Sequence, residues 1–505
     1  MHSTRVQCNA ITIDFETLYQ ACITVEALGL AGSLASISNE DSLVIHMGRL
    51  QHCIRTDPSH AQLKLFSLLS SRRRCLATNP RDKVYALLGM VNDAGGISPD
   101  YSKSVEEIYM QTAKHIMITN KDLKLLSEVK ELRPNPELPS WVPNWSISPK
   151  VTTLATRNSN GTRRYLAAGE SSAKFTVSES GEKAIAIHGL CFDEISPHLG
   201  VVSSIADGSN YTPWLGLTAY STGLWAELAR SVFPEGVYTP TGEPLIQAYN
   251  RVLAADQSLI SDRIDRDTKA AYFPQTINFI SAVKSEIGHI LYPQAIRQVK
   301  DLNIDLEAIL GSYIKGPELY STADVMEYLY KSPRVEGVPP EILGYVESEL
   351  FSVNYAITEG RKIFISKSGH MGLCPEATEP DDIVCVLFGA DVPFVLRPLQ
   401  NGNHLLVGEC YIDGFMDGEA ILKAAISREG NEPYNLGRHT NDTAMTLSTS
   451  GDAAPATSSW TAVVSDQNDG QKKITVAEAS DNEDSTTQSI HRKIYNLPAR
   501  VFVIE

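Results

Sequence analysis

The chain has 505 residues, of which 43% are hydrophobic and 21% charged, the composition of a globular protein with more than one folded unit. Its 44 basic and 60 acidic residues give a formal net charge of -16, so its surface as a whole repels nucleic-acid phosphates. The one dense basic run, residues 72–74, is predicted to be a solvated helix end. We therefore expect no nucleic-acid partner.

Cysteine spacing and apolar runs bear on metal binding and location. The eight cysteines form no C-x-x-C pair and no tight Cys/His group, which argues against a structural metal site and a disulfide framework. No apolar run approaches the about 20 residues of a membrane span, and the first residues lack the apolar core of a signal peptide. We expect a cytoplasmic protein without membrane contact, metal or cofactor.

Residues 1–150 are predicted to form a mostly helical first unit. Asp14 is placed to cap a helix whose apolar residues repeat at helical spacing, and a second such pattern lies at 63–69. Further along, Ser104 and Glu107 fit a capping box at the start of a longer helix. The predicted order is thus helix, helix and capped helix.

Two segments with helix-capping or helix-breaking residues lie between and after these helices. Asn79 precedes a proline and is expected to cap a short apolar helix at 84–88, which Gly89 ends. Later, two prolines forbid a helix around Trp141 and Trp145. An aromatic ligand platform is one interpretation of the tryptophans, but we favour core anchors for an extended segment.

The middle of the chain, 151–350, is predicted to be mixed and mostly helical. Alternating polarity at 174–180 and 184–191 indicates one β-hairpin. Helical spacing recurs at 224–232, 245–260, 278–287 and 304–313.

Beyond residue 355 the apolar period changes to two, which is typical of strands. Short strands are expected at 362–366, 383–388, 392–396 and 405–412. Together with a returning strand within 490–505 they predict a small antiparallel barrel or sandwich over 351–426. The intervening stretch, 427–489, is rich in Ser, Thr, Asp and Gly and is predicted to be a disordered acidic insertion. The fold class is therefore α+β.

No nucleotide-binding, metalloprotease or nucleophile-elbow motif occurs, so catalytic candidates are isolated residues. His370 and Cys374 lie four apart, as in a Cys–His pair whose imidazole lowers the thiol pKa. The alternative is a turn with a buried thiol and a surface histidine, which we favour because catalytic pairs are usually distant in sequence.

Four carboxylates crowd residues 408–419, the outermost being Glu409 and Glu419, with Asp417 close to the latter. Such acids could serve as an acid/base pair or bind a ligand or divalent metal, but the glycines among them favour acids that hold tight turns. Arg397, at a strand end, either binds an anion or pairs with Asp382 or Glu409, and a structural ion pair is the preferred interpretation.

Three segments carry a family resemblance. RRRCLATNPRDKVYALLGM at 72–90, PDYS at 99–102 with the helix start after it, and LPSWVPNWS at 138–146 resemble signature motifs of the fungal heterokaryon-incompatibility (HET) domain family. The run from residue 360 through GHMGLCP, DDIVCVLFGADVPFVLRP and LVGECYIDGFMDGEA resembles the β module that commonly ends such proteins. Asparagines at 79 and 144 stand where the family usually has aspartate, a change that capping tolerates.

The motifs that open the family's core, S-Y-x-W-G and W-I-D-A-x-C-I-N-Q among them, do not occur, and residues 1–70 resemble the segment that follows that core. True loss, divergence and a mispredicted gene start all remain open. The core resembles TIR-like signalling domains, and its chemistry is not carried over to this chain.

The resemblance implies allorecognition and regulated cell death. We expect a non-catalytic protein acting in non-self recognition through protein partners, with the acidic insertion as a variable contact loop. The alternative is an enzyme or accessory factor of a secondary-metabolite pathway on the same scaffold, with His370, Arg397 or Glu409 in a pocket. The sequence leaves enzymatic activity and any small-molecule ligand open.

Overall fold

The computed structural model describes residues 5–8, 11–27, 64–73, 75–130, 137–148, 151–155, 163–177, 183–203, 224–257, 357–429, 460–466, 472–478, 492–497 and 499–505. The helices expected at 278–287 and 304–313 lie outside the described residues.

The chain begins with a β-hairpin and a helix. Strands β1 (Arg5–Cys8) and β2 (Ile11–Asp14) pair antiparallel and lead directly into helix α1 (Phe15–Ala27). The Asp14 carboxylate accepts a hydrogen bond from the backbone N–H of Glu16 at 3.0 Å, so the expected cap is present. The hairpin before it was not predicted.

Three helices and a 3-10 turn form the rest of the helical part. They are α2 (Leu65–Ser71), α3 (Asp82–Leu88), α4 (Val105–Asn120) and the 3-10 helix Lys124–Glu128. The predicted capping box of α4 is confirmed: Ser104 Oγ accepts from the N–H of Glu107 at 3.1 Å, and the Glu107 carboxylate accepts from the N–H of Ser104 at 2.8 Å. This reciprocal cap satisfies two donors that the first turn leaves open.

The tryptophan segment lies in the core. Trp141 and Trp145 are 0% and 1% exposed. The indole N–H of Trp141 donates to the carbonyl of Lys183 at 2.7 Å, and the Trp145 ring meets the Tyr109 ring edge to face at 5.1 Å. Their predicted role as core anchors is confirmed, and Trp141 thereby joins the helical part to the sheet.

The principal sheet draws strands from the middle and the end of the chain. Its strands are β4 (Phe175–Val177), β5 (Ile185–Leu199), β8 (Arg361–Ser366), β9 (Met371–Pro375), β10 (Ile383–Leu387), β11 (Phe394–Pro398), β12 (His404–Glu409), β13 (Tyr411–Ile412) and β17 (Arg500–Ile504). The strands predicted at 362–366, 383–388, 392–396 and 405–412 correspond to β8, β10, β11, and β12 with β13. Strand β9 replaces a predicted turn.

Strand β5 is the centre of this sheet. Its first half pairs with β4 and β17, its middle with β10, and its end with β8, all antiparallel. The pairings run β10–β11–β12–β17–β5 and return from β5 to β10. The hairpin expected at 174–191 is present as β4 and β5, but it belongs to the same sheet as the C-terminal strands.

The remaining elements lie outside this sheet. Short strands β3 (Glu170–Ser171), β6 (Val237–Tyr238) and β7 (Glu243–Pro244) accompany helices α5 (224–232), α6 (Leu245–Leu253) and α7 (Glu419–Glu429). The helix predicted at 224–232 is present, and the helix predicted at 245–260 ends earlier than expected, at Leu253, followed by a turn at 254–257. The fold is α+β.

The stretch 427–489 differs from its prediction. It contains β14 (Trp460–Asp466) and β15 (Lys472–Glu478), which pair antiparallel over seven residues each, and β14 also pairs with β16 (Arg492–Leu497). The polar composition of the whole stretch conceals two short segments, WTAVVSD and KKITVAE, that are rich in β-branched residues. Disorder across the whole insertion was therefore the wrong expectation.

Two apolar clusters form the core on the two faces of the sheet. Strand β10 is buried on both faces, with Ile383, Cys385 and Leu387 in one cluster. Val384 and Val386 lie in the other. Within the described residues, no helix combines the length and the apolar character that crossing a membrane requires.

Replacing Trp141 with alanine tests the anchoring role. We expect Trp141→Ala to lower the free energy of unfolding by about 3–5 kcal/mol, because it removes a fully buried ring and leaves a cavity. Leu76→Ala, at a side chain that is 95% exposed, is the control and should change stability by less than about 0.5 kcal/mol. Urea unfolding followed by fluorescence measures both, and equal stabilities would contradict the assignment.

Candidate functional site

The carboxylate of Glu409 lies where the helical part meets the sheet, at the end of β12, and is 3% exposed. It accepts a hydrogen bond from Lys130 Nζ at 3.2 Å and another from Arg361 Nη2 at 3.3 Å. The backbone N–H groups of Leu154 and Ala155 donate to it at 2.6 Å and 3.3 Å. Four donors from three separate chain segments therefore converge on one buried carboxylate.

The cluster around Glu409 joins separate segments of the chain within the fold. Burial lowers the pKa of Lys130, while the nearby Glu409 carboxylate raises it and favours the charged amine. Arg361, which is 1% exposed, also donates to the carbonyls of Ile357 at 2.6 Å and Thr152 at 2.5 Å. The carboxylate is thus engaged by protein donors, which leaves it poorly placed for acid/base work on a substrate.

The structure gives His370 and Cys374 different partners. The His370 Nδ1 atom lies 3.1 Å from the carbonyl of Asp413, and its ring packs edge to face on Phe415. The Cys374 thiol is fully buried and donates to the carbonyl of Lys362 at 3.5 Å. Burial raises the pKa of Cys374 to about 12, so the thiol is protonated at neutral pH.

Arg397 takes the structural role that the sequence favoured. Its Nε and Nη2 atoms donate to the two oxygens of Asp382 at 2.8 Å and 3.0 Å, a bidentate pair. Nη1 also donates to Glu379 at 3.0 Å. The guanidinium that an anion would need is therefore already paired.

The remaining acids of the 408–419 segment take separate positions. Asp413, which is 1% exposed, accepts from Arg251 Nε at 2.6 Å and Nη2 at 2.8 Å. Glu419 accepts from the backbone N–H of Asp417 at 2.6 Å at the start of α7. Among the described residues, no group of three or more His, Cys, Asp or Glu side chains is arranged to hold a metal ion.

Sequence reasoning missed the role of Arg73, expected at a solvated helix end but only 4% exposed. Its guanidinium donates to the carbonyls of Glu128, Asn144 at 3.2 Å and Ile147 at 3.4 Å, and to the Glu128 carboxylate at 3.3 Å. Lys83 Nζ donates to the carbonyl of Arg73 at 3.0 Å and to that of Cys75. Because the carbonyls come from distant segments, no local pattern distinguished Arg73 from the rest of the basic run.

Three large exposed apolar side chains lie near α3 in the sequence. Leu76, Met90 and Tyr101 are 95%, 47% and 56% exposed, and we call these three side chains the signature face. The Tyr101 hydroxyl donates to Asp82 at 2.7 Å, and its ring meets the Tyr85 ring at 5.2 Å. Three large apolar side chains are thus exposed to solvent, and the contacts with Asp82 and Tyr85 fix the position of Tyr101.

Comparison with known proteins agrees with the family resemblance that the sequence motifs indicated. The Het-6 beta-barrel domain family matches residues 343–429. The chain is 26% identical over 402 residues to heterokaryon incompatibility protein 6, OR allele, of Neurospora crassa. The predicted similarity to the fungal heterokaryon-incompatibility family is confirmed. The match covers 74% of the chain and 53% of that relative, so the chain spans about half of the relative's length. No solved structure matches the chain.

Neutralising Glu409 tests the assembly role of the buried cluster. We expect Glu409→Gln to lower the free energy of unfolding by about 3–5 kcal/mol, because two buried cations lose their counter-charge. The matched control is Glu379→Gln, at a carboxylate that is 65% exposed in its ion pair, with an expected change below about 1 kcal/mol. Chemical denaturation measures both, and full stability of Glu409→Gln would contradict the assignment.

A pH titration tests the burial of His370. Burial lowers the pKa of His370 from its ordinary value of 6.5, and the nearby Lys423 lowers it further. The unfolded chain therefore binds more protons than the folded chain as the pH falls below 6.5, and stability decreases there. His370→Asn should make this decrease shallower in thermal melts between pH 7.5 and 5, and an unchanged slope would contradict the assignment.

Proposed function

We propose that this protein acts in fungal non-self recognition as a heterokaryon-incompatibility protein, and that it works in the cytoplasm through protein contacts without catalysis. The match to heterokaryon incompatibility protein 6 and the Het-6 domain match support the role. The polar residues that sequence reasoning offered as catalytic candidates are engaged in buried structural contacts, which supports a function based on binding.

The signature face is the observation that carries the proposal. Exposed apolar side chains grouped on one part of a surface mark sites of protein interaction. Leu76, Met90 and Tyr101 lie within 26 consecutive residues around α3, and each presents a large apolar side chain to water. Lys83 donates to the backbone carbonyls of Arg73 and Cys75 and so holds the chain next to Leu76, which reduces the ordering entropy lost there when a partner binds.

The closed circuit of strand pairings supports a finer description of the sheet. We propose that β10, β11, β12, β17 and β5 form a small barrel, since each pairs with the next and β5 returns to β10. A closed sheet has no free edge and is a rigid body on which the helical part can be held. In this arrangement the barrel supports the signature face and does not itself carry out chemistry.

A growth assay tests the proposed function. The gene is expressed in Neurospora crassa strains that carry different alleles of heterokaryon incompatibility protein 6, and the growth rate of transformants is compared. We expect reduced growth in at least one allele background and none of this reduction with the double variant Leu76→Asp and Tyr101→Asp.

The matched control is Val501→Asp, which places the same charge at a side chain that is 52% exposed on β17, away from α3. It should keep the wild-type growth effect, and immunoblots should show equal protein levels for all variants. Normal growth in every allele background would overturn the proposed role. A full growth effect in the double variant would overturn the assignment of the contact to the signature face.

A further inference from the structure

Two cysteines face each other across the ladder between β5 and β10. The strand register pairs Cys385 with Cys191, immediately after an irregularity between Val384 and Cys385. Direct partners in an antiparallel ladder have Cα atoms about 4.5–5.5 Å apart, within the range that a disulfide bridges. Both cysteines are free thiols. The backbone therefore already holds them at bridging distance.

The two thiols also point to the same side of the ladder. Cys191 and Cys385 both belong to the larger apolar cluster, whereas Leu190, Val384 and Val386 belong to the cluster on the opposite face. Cys191 is 7% exposed and Cys385 is fully buried, so Cys191 is the more accessible of the two residues.

The surroundings of the pair make the two thiols unequal. A hydrogen bond from the Cys385 thiol lowers the pKa of Cys191, and the nearby Arg500 guanidinium also favours the thiolate. Burial raises the pKa of Cys385. The Cys191 thiol also donates to the carbonyl of Asp193 at 3.8 Å. Because Cys191 is the more exposed of the two, we assign it as the attacking sulfur and Cys385 as the resolving thiol. Burial also raises the pKa of the two fully buried thiols Cys374 and Cys410, which makes them slower to react.

We propose that Cys191 and Cys385 are a redox modification site that forms a reversible disulfide on exposure to hydrogen peroxide. The Cys191 thiolate attacks one peroxide oxygen, the O–O bond breaks, and a sulfenic acid and a hydroxide form. The Cys385 sulfur then attacks the Cys191 sulfur, the S–O bond breaks, and the thiol proton leaves with the hydroxide as water. The pair loses two electrons, and the hydrogen peroxide is reduced to two waters, since the hydroxide released first takes up the proton that the Cys191 thiol lost on ionising.

A disulfide between Cys191 and Cys385 adds a covalent bond to the β5–β10 ladder, the pairing that closes the circuit of strands. The β5–β10 ladder joins a strand from the middle of the chain to one near its end. A covalent bridge between residues 191 and 385 constrains a long stretch of the unfolded chain, which stabilises the folded state. The inference is independent of the proposed partner contact, since it concerns a different part of the molecule.

Peptide mapping of the full chain tests the site. The reduced protein is treated with a molar excess of hydrogen peroxide, free thiols are alkylated, and the digest is analysed by mass spectrometry without reduction. We expect one peptide pair joined through Cys191 and Cys385, two hydrogens lighter than the separate peptides and lost on treatment with dithiothreitol. Partly exposed Cys75 serves as an internal control for oxidant reaching the protein. Oxidised Cys75 together with free Cys191 and Cys385 would overturn the proposal.

Cysteine variants distinguish the attacking role of Cys191 from the resolving role of Cys385. In Cys385→Ser the link should disappear, and dimedone should capture a sulfenic acid on Cys191. Cys410→Ser, which alters an equally buried cysteine outside this ladder, should keep the link. Oxidation should raise the Tm of the wild type by about 5 °C, reversibly. Loss of the disulfide in Cys410→Ser would overturn the proposed pairing of Cys191 with Cys385. If a variant does not fold, the peptide map of the oxidised wild type tests the proposal by itself.

Discussion

The fold depends on one long strand, β5, and on the ladders along both of its edges. It has 15 residues, and most of them are buried. Four strands pair with it, from positions as far apart as residue 175 and residue 504. Because the strand is covered on both faces, its apolar side chains contribute to two core clusters. Disturbing this strand would therefore separate the middle of the chain from its end.

Charged groups buried beside this sheet hold its acids in ion pairs. A carboxylate removed from water must gain a cation or several hydrogen-bond donors, or the cost of burial is not offset. Glu409 has Arg361 and Lys130, Asp413 has Arg251, and Asp382 has Arg397. In each case the cation comes from another part of the chain, so the pairs fasten elements together.

The two proposals rest on physically different parts of the molecule. The proposed partner contact uses the exposed apolar side chains of the signature face. The Cys191–Cys385 pair lies within the sheet and suits reaction with a small oxidant. A protein of this design can change its stability through the pair without altering the chemistry of its surface.

The sequence by itself determined the features that depend on a few neighbouring residues. The capping box at Ser104 follows from side chains three residues apart, and the burial of Trp141 follows from prolines and aromatic size. The four predicted strands near the end of the chain follow from apolar alternation. An ion pair of Arg397 with Asp382 or Glu409 was expected from nearby carboxylates, and the structure shows that Asp382 is the partner. Local chemistry was sufficient for each of these features.

Only the tertiary structure decided which distant segments meet. Lys130 reaches Glu409 across 279 residues of chain, and nothing near either residue indicates the other. The same holds for the burial of Arg73 and for the presence of β5 in the C-terminal sheet. Within the stretch expected to be disordered, β14 and β15 are short segments whose mutual pairing the average composition conceals. Propensity and capping act within a turn or two, whereas these contacts gain their free energy from the burial of the assembled core.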